Sequence, residues 1–406
     1  MNKYYRVKKS LIIKEELNYL TLWDSKEGWE INVEQSSLEC IRAFYLPITR
    51  DAAHKLLLNR FDLTSELLDS MINSLLEQGI IEEFTPEAET FRGGKGGMFN
   101  SEVVTLSECM NGTWCNIAFI GMPYDLNVTY RPGCRFAPRY LRKVSGAVYQ
   151  HNSRSLCGVY DPIKGKRIFE NVTMADIGDI QSIVFARNGK EFDALEETVF
   201  RLVNHNVFPV TIGGDHSITL PCLKGIVRAK KIGVIQLDAH SDFGLNKLDN
   251  WRDSVHHGNF IDAVLEEEGI EEVIQVGIRQ LVENQLTHEK VKQWPGKSIL
   301  NNLNEFGDVL NKELQYYITL DVDVFDSAVI KSTGTPLPGG FSYDEMIEIL
   351  EFIVGQVEVI GLDIVELLPE ESETEGITIS RIIINILSNI MERKYEYLSR
   401  NTTVVN

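Results

Sequence analysis

From residue 115 onward, continuous apolar runs alternate with stretches that have helical periodicity. The helical stretches include residues 192–204 and 343–354. Buried strands separated by helices are typical of a parallel sheet that is covered on both faces. We therefore predict an α/β domain over residues 113–406, with ligands bound beyond the carboxyl ends of its strands. The predicted strands are CNIAFIGMP, VFPVTIGG, IGVIQLD, EEVIQVGIR, QYYITLD and VEVIGLDIVE.

The first 90 residues have a different pattern. Short extended candidates at 10–14, 19–24 and 29–33 are followed by helical patterns from residue 36. Gly79 stands where a helix C-cap is expected, after apolar residues at helical spacing: Leu67, Leu68, Met71, Leu75 and Leu76. We predict a small α+β unit over residues 1–90. The glycine-rich stretch that follows has no periodicity, so we predict a linker over residues 91–112.

The composition narrows the classes of function. A formal charge of -19 and a pI near 4.9 disfavour nucleic acid and anionic membrane partners. The chain has no apolar stretch near the ~18 residues of a membrane span and no signal-peptide pattern. Its six cysteines form no CxxC pair, which favours reduced thiols in the cytoplasm. We therefore expect a soluble cytoplasmic protein.

Acidic residues and histidines follow three of the predicted strands. His216 comes after VFPVTIGG, the segment Asp-Ala-His-Ser-Asp after IGVIQL, and Asp-Val-Asp after QYYITL. Residues two apart on an extended backbone point to the same side, so the members of each cluster can face one point. A single such residue is more often an N-cap or a turn residue, but three clusters at one sheet edge predict a metal site. Its six residues are His216, Asp238, His240, Asp242, Asp321 and Asp323.

The charge of this set indicates how many ions it holds. Four carboxylates and two imidazoles crowd together only if cations neutralise them, which favours two divalent ions. A ligand set rich in oxygen and without thiolate favours manganese or magnesium over zinc, and the imidazoles shift the preference towards manganese, iron, cobalt or nickel. Two such ions can generate a hydroxide at neutral pH. The pattern therefore predicts a metal-assisted hydrolase.

Five segments, in order along the chain, carry a specific resemblance: Gly-Gly-Asp-His-Ser at 213–217, Asp-Ala-His-Ser-Asp at 238–242, Leu-Asp-Val-Asp-Val-Phe-Asp at 320–326, Thr-Gly-Thr-Pro-Leu-Pro-Gly-Gly at 333–340 and Gly-Leu-Asp-Ile-Val-Glu at 361–366. On these segments the chain resembles the ureohydrolases, the arginase and agmatinase group, from residue 115 to the C-terminus. The resemblance implies a three-layer α/β/α domain with two Mn²⁺ ions per chain. It also implies a bridging hydroxide that attacks the carbon of a guanidinium group and releases urea.

The resemblance also implies individual roles. His216 and Asp242 would hold one ion and His240 the other. Asp238 and Asp321 would be shared, and Asp323 would complete the cage.

Two further residues match catalytic positions of the family. Glu366 matches its guanidinium-binding glutamate, whose paired acceptors suit a planar N–H fork. His257 matches its proton shuttle, for which a pKa near neutrality is suitable, although the neighbouring His256 is an alternative. Ser327 departs from the family, which usually has proline there.

The loop after the first strand of the domain favours one branch of the family. Gly-Met-Pro-Tyr-Asp at 121–125, followed by Arg-Pro-Gly-Cys-Arg-Phe-Ala-Pro-Arg at 131–139, resembles agmatinases more than arginases. For Arg135 and Arg139 we expect packing of the loop rather than contact with substrate.

The order of short strands and helices in residues 1–90 resembles the winged-helix-like elements that bind precursor peptides as an added strand. This resemblance implies a substrate arginine inside a peptide, converted to ornithine, with the peptide's leader segment bound by the N-terminal unit. Oligomer contacts or simple covering of the core are alternative roles. A DNA-binding winged helix is disfavoured, because acidic residues outnumber basic ones in this part of the chain.

Several alternatives stay open. The substrate is either a peptidyl arginine or a free guanidino metabolite such as agmatine or a guanidino acid. A non-catalytic metal-binding regulatory protein is a second alternative, although no expected ligand is missing. A deacetylase would hold a single zinc with fewer carboxylates. Trimers and hexamers are common in the family, so a homo-oligomer is expected.

Overall fold

A computed structural model describes most of the chain: residues 3–8, 11–15, 19–24, 27–34, 37–45, 48–58, 61, 64–84, 96–110, 115–149, 156–180, 188–244, 248 and 250–402. The chain divides into two compact units. The first comprises Met1–Gly93 and Gln181–Thr198, and the second comprises Gly94–Ile180 and Val199–Asn406. The return of the chain to the first unit at Gln181–Thr198 is a feature that the sequence pattern did not predict.

The first unit contains two small antiparallel sheets, β5-β1-β6 and β2-β3-β4. The three predicted strands form the second sheet, each within one residue of its predicted start, whereas β1 was not predicted. The elements are β1 (Tyr4–Val7), β2 (Leu11–Glu15), β3 (Tyr19–Asp24), β4 (Glu30–Glu34), α1 (Ser37–Arg42), β5 (Ile48–Thr49), α2 (Arg50–Leu58), α3 (Ser65–Glu77) and β6 (Ile81–Phe84).

The core of this unit follows from the two periodicities. Leu20 and Leu22 alternate with more exposed residues along β3, and Leu68 and Ile72 lie one turn apart on α3; all four belong to one buried apolar cluster. The predicted stop of α3 is confirmed, because Gly79 follows the C-cap Gln78 with a φ of 69° that favours glycine.

The second unit is built on a nine-stranded sheet in the order β15-β14-β13-β16-β17-β12-β8-β11-β7. All of its pairs are parallel, so the predicted parallel sheet is confirmed. Its strands are β7 (Glu102–Val103), β8 (Ile117–Gly121), β11 (Met174–Asp179), β12 (Phe208–Ile212), β13 (Ile232–Leu237), β14 (Ile270–Val276), β15 (Val291–Trp294), β16 (Gln315–Asp321) and β17 (Glu358–Val365). A separate antiparallel pair is formed by β9 (Val159–Asp161) and β10 (Lys166–Ile168).

Helices connect these strands, and α6 contributes to both units. Alternate sheet residues share a buried apolar cluster with residues of α5, α11 and α12, as expected of a helical layer on a sheet face. The helices are α4 (Leu106–Met110), α5 (Ala137–Val144), α6 (Lys190–Asn204), α7 (Thr219–Val227), α8 (Trp251–Ser254), α9 (Phe260–Glu266), α10 (Leu303–Val309), α11 (Tyr343–Gln356) and α12 (Thr374–Thr402).

The structure differs from the predicted linker over 91–112. Within that range, residues 98–110 form a short 3-10 turn, the edge strand β7 and the helix α4. Both residues of β7 are exposed, so this short strand leaves no alternating pattern in the sequence. Residues 91–95, 111 and 112 lie outside the described residues.

The order of the strands brings the predicted ligands together. β13, β16, β17 and β12 are four consecutive strands in the middle of the sheet, and each leads directly into one of the singled-out segments. In parallel sheets the carboxyl ends of all strands lie at one edge. The ligand segments therefore meet at the centre of that edge.

Candidate metal centre

His216 is positioned by a tight approach between two loops. A Cβ at Gly214 would lie 1.5 Å from the carbonyl oxygen of Tyr124, so only glycine fits there. The backbone N–H of Asp215 donates to that same oxygen at 2.8 Å. The Asp215 side chain caps the short 3-10 helix that starts at His216, and it also accepts from the N–H of Asn127 at 2.9 Å.

The ligand segments after β13 and β16 hold each other through backbone to carboxylate hydrogen bonds. The N–H of Ala239 donates to Asp323 Oδ1 at 3.0 Å, and the N–H of His240 donates to Asp238 Oδ1 at 2.6 Å. Asp321 caps the turn after β16 by accepting from the N–H of Asp323 at 2.8 Å. These bonds orient each carboxylate before any ion binds.

Five of the six predicted ligands form two overlapping groups, and the sixth, Asp242, lies beside His216 of the first group. His216 Nδ1 lies 3.0 Å from an oxygen of Asp238, and Asp242 and Asp321 follow at 3.1 and 3.3 Å. His240 Nδ1 lies 2.8 Å from Asp323 Oδ2 and 3.6 Å from Asp238 Oδ1. The donor atoms of His216, Asp238 and Asp321 lie within 4.8 Å of one another, as do those of Asp238, His240 and Asp323. Asp238 is common to both groups.

Burial and neighbouring charges shift the pKa values of several predicted ligands. Burial raises the pKa of Asp242, and the nearby Asp238 carboxylate adds to this, to a value of about 7. Burial likewise raises the pKa of Asp321 well above its usual range. For His240 burial lowers the pKa, but the Asp238 and Asp323 carboxylates outweigh it and raise the pKa to about 11. Divalent cations relieve this crowding of buried carboxylates when they bind.

The donor set fits divalent cations. His216 Nδ1 is buried and makes no hydrogen bond, although three carboxylates surround it. A nitrogen atom in that position is suited to coordinating a divalent cation. The surrounding ligands are carboxylate oxygens and a second imidazole, which suit manganese and related ions.

Glu366 lies beside the same groups. It follows β17 directly, has a φ of 64°, and its N–H donates to the carbonyl of Gly214 at 2.9 Å. Its Oε1 accepts from the backbone N–H of His216 at 2.9 Å, whereas its Oε2 is buried without a hydrogen bond. Oε1 is therefore hydrogen-bonded within the protein, and Oε2 is available to a ligand.

The structure places His257, and not His256, next to Glu366. His257 Nδ1 lies 3.0 Å from Glu366 Oε1, and its Nε2 accepts from the N–H of Thr129 at 3.0 Å. In the neutral ring Nδ1 therefore carries the proton. Burial lowers the pKa of His257, but the Glu366 carboxylate outweighs it and the pKa is raised above its ordinary value. His256 instead accepts from the N–H of Gly258 through its Nδ1.

Residues 115–391 match a family model described as the Arginase family. The chain belongs to the arginase family. It is 30% identical over 286 residues to an agmatinase from Bacillus cereus, covering 67% of this chain and 90% of that protein. It is 28% identical over 274 residues to a guanidinobutyrase from Pseudomonas aeruginosa, covering 63% and 80%.

A solved structure matches the fold of this arginase-family chain. The proclavaminate amidino hydrolase from Streptomyces clavuligerus superposes with a TM-score of 0.61 at 24% identity, covering 75% of this chain and 99% of that one. The ureohydrolase resemblance and the arginase-like α/β/α fold are thus confirmed, and the protein is a hydrolase of this family. The first 114 residues lie outside the family match.

Three residues behind the arginase-family site were missed by sequence reasoning. His216 Nε2 lies 2.8 Å from Thr319 Oγ1, and Thr319 Oγ1 lies 3.2 Å from the hydroxyl of Thr219. Thr219 donates to the buried Asp363 at 2.9 Å. These side chains fix the ring of His216 from behind. The signal that could have found them is their position, since Thr319 lies on β16 two residues before Asp321, and Asp363 lies on β17 three residues before Glu366.

Arg135 forms an ion pair with the buried Asp125 at 2.9 Å, in keeping with a packing role in its loop. Among the helices of the described residues, none is long and apolar enough to cross a membrane.

Proposed function

We propose that this protein hydrolyses a guanidinium group to an amine and urea with the help of two Mn²⁺ ions. The observation that carries the proposal is the buried, unbonded Oε2 of Glu366 beside the two overlapping ligand groups. A buried carboxylate oxygen without a partner is unfavourable, and a planar cationic N–H fork is the ligand that compensates it best.

Both ions are assigned to residues of the candidate metal centre. His216 and Asp242 would hold one ion and His240 the other, and Asp238 would be shared, in keeping with the distances between their donor atoms. The family resemblance assigns a shared role to Asp321 as well, and Asp323 would complete the set. When bound, two such ions polarise the substrate and make water nucleophilic at neutral pH.

Glu366 binds the substrate, and His257 transfers a proton. Glu366 Oε2 binds the guanidinium and turns its carbon towards the ligand groups, and Oε1 keeps its bond to the N–H of His216. His257 is bonded to Glu366 and to Thr129, so its ring lies at the edge of the site in a fixed orientation. The pKa of His257 is raised, and in the protonated ring the Nε2–H can donate to Thr129 Oγ1, which lies 2.7 Å away. The protonated ring can give a proton to the leaving amine.

We expect His257→Asn to lower kcat by roughly 10²-fold or more, the usual contribution of general acid catalysis. Manganese content should stay at the wild-type level, because His257 belongs to neither ligand group. His256→Asn is the matched control and should change kcat less than about twofold, as expected of a residue that does not touch the reacting atoms. Equal losses in the two variants would contradict the assignment of the proton donor to His257.

A free guanidino compound is the first candidate substrate. The family match covers residues 115–391, most of which lie in the second unit. The alignments cover 90% and 80% of relatives named agmatinase and guanidinobutyrase. These names support a small guanidino metabolite, with a cationic or an anionic tail. A cytoplasmic location and a homo-oligomer are proposed with it.

An arginine side chain within a peptide is the second candidate, and one observation on the first unit favours it. Strand β4 lies at the edge of the sheet β2-β3-β4, and among the described residues it pairs with β3 alone. A strand at the edge of a sheet can bind an extended peptide as an added strand.

Beside this edge the first unit has a groove of about 490 Å³. Ile31 and Val33 are half-buried and share one face of β4, and Trp29 extends to Gly79 just beyond α3. Gln78 closes the same groove. Apolar pockets at alternate positions are what strand addition uses for specificity, so the groove suits an extended peptide with apolar residues. Tethering of this kind would raise the local concentration of a target arginine.

The experiment that tests the function is urea release by the manganese-loaded full-length protein. The substrates are agmatine, free arginine, 4-guanidinobutyrate and a blocked arginine-containing peptide, with Asp238→Ala as the blank. Turnover of a free compound supports the first candidate, and turnover of the peptide alone supports conversion of arginine to ornithine. If no substrate releases urea while two manganese ions are bound, the result would contradict the proposed hydrolysis and support a non-catalytic metal-binding protein.

The peptide candidate has a further test on β4. We expect Ile31→Lys to raise KM for the peptide without changing KM for a free guanidino compound, because a lysine ammonium in the groove disfavours apolar contacts. Trp23→Lys is the control, since Trp23 is exposed on β3 and does not line the groove. An unchanged peptide KM in Ile31→Lys would contradict binding at this edge.

A further inference from the structure

Three glutamines lie side by side across neighbouring strands next to the candidate metal centre. Gln236 on β13 is in register with Gln275 on β14, and Gln275 is in register with Gln293 on β15. Residues paired in this way project to the same face of a sheet. Gln236 and Gln275 are fully buried, and Gln293 is half-buried at the sheet edge.

Their side-chain amides form a directed chain of hydrogen bonds. Gln293 Nε2 donates to Gln275 Oε1 at 2.8 Å, and Gln275 Nε2 donates to Gln236 Oε1 at 2.7 Å. Gln236 Nε2 then donates to Asp238 Oδ2 at 2.7 Å. Every amide points its NH₂ group towards the carboxylate, so the bonds polarise one another in the same sense. The chain ends on the residue that both ligand groups share.

The same amides also hold the backbone of the ligand loop. Gln275 Nε2 donates to the carbonyl of Ser241 at 2.6 Å, and Gln236 Nε2 lies 3.4 Å from the carbonyl of His240. The next residue, Asp242, has a φ of 49°, which a non-glycine residue adopts only when its surroundings hold it there. The amides therefore restrain the loop immediately before its strained ligand.

The surroundings of Gln236 on its own strand are apolar. β13 is apolar on both sides of Gln236, and buried polar groups are unfavourable unless all of them are satisfied. Since the three amides satisfy one another and end on the ligand loop, their placement is explained by that loop.

We propose that Gln236, Gln275 and Gln293 are positioning residues of the metal centre, which fix Asp238 and the loop to Asp242 in the conformation that binds two cations. The proposal rests on the metal-binding part of the proposed function. Without Gln275, the amide of Gln236 loses the donor that sets its orientation, and the carbonyl of Ser241 loses its hydrogen bond.

The test measures manganese affinity and not only turnover. Metal-free full-length protein is titrated with Mn²⁺ by equilibrium dialysis with elemental analysis, and the melting temperature of the metal-free form is recorded in parallel. We expect Gln275→Leu to weaken manganese binding by roughly 10 to 100-fold, the usual effect of losing a group that orients metal ligands. Gln293→Leu, at the half-buried end of the chain, should weaken it less and keeps the test decisive if Gln275→Leu fails to fold.

Asn385→Leu is the control for the loss of a buried amide. Asn385 lies on α12, is 8% exposed and donates to Glu351 at 3.0 Å. It should lower the melting temperature without changing the manganese affinity. Wild-type affinity in Gln275→Leu and Gln293→Leu would overturn the inference. If the affinities fall as expected while the wild type releases no urea, the proposed hydrolysis fails and the positioning role of the glutamines stands.

Discussion

Asp238→Asn is expected to lower urea release severely and to remove both manganese ions, whereas His240→Asn removes only one. Asp238 is shared by the two ligand groups, and the only imidazole in the second group is that of His240. The amide of asparagine is neutral and presents an N–H to the site, so it cannot replace a bridging carboxylate. We expect urea release to fall by at least about 10³-fold, because one lost electrostatic stabiliser of a reaction already costs 10² to 10³.

The measurement is manganese per chain by elemental analysis after dialysis, together with urea release under saturating Mn²⁺. Asp308→Asn is the control, because Asp308 is an exposed aspartate on α10 outside both groups. Retention of two tightly bound ions in Asp238→Asn would contradict the shared-ligand geometry, whatever its activity.

The fold was predictable where buried strands appear in the sequence as continuous apolar segments. The runs that became β12, β13, β16 and β17 are continuous apolar segments, and every position of β12 and β13 is buried. The predicted ligands stand at the ends of these runs, so their clustering at one edge of the sheet could be predicted from their positions. The parallel order placed those ends next to each other, as expected for the edge where α/β sheets bind ligands.

Contacts between residues that are far apart in the chain were not predicted from the sequence. Thr129 reaches His257 across 128 positions, and Gln275 reaches Gln236 across 39. Neither has a local pattern, because a threonine in a loop and a glutamine in a strand are both common as isolated residues. Their partners are chosen by strand register and loop packing, which only the folded chain defines.

Weakly patterned strands were missed for a related reason. β15 is half-buried along its whole length, and β7 has two exposed residues. Neither shows the alternation or the continuous burial that indicates a strand. In the first unit, by contrast, the alternation of β3 was enough to predict it.

Glu366→Gln is expected to lower kcat/KM by roughly 10²-fold, because a guanidinium that loses its buried anionic partner gives up about 3 kcal/mol. The side chain keeps its shape, and its Oε1 can still accept from the N–H of His216 and from His257. Only the second oxygen, which makes no hydrogen bond within the protein, is replaced by a donor. The substrate N–H fork then faces an N–H group, which repels it.

Manganese content separates this role of Glu366 from a structural one. Glu366 belongs to neither ligand group, so Glu366→Gln should bind both ions with wild-type affinity while losing turnover. Glu371→Gln, an exposed position beyond the same strand, is the matched control and should keep both properties. A parallel loss of manganese in Glu366→Gln would contradict this separation of roles, because the negative charge of Glu366 would then be needed by the metal site itself.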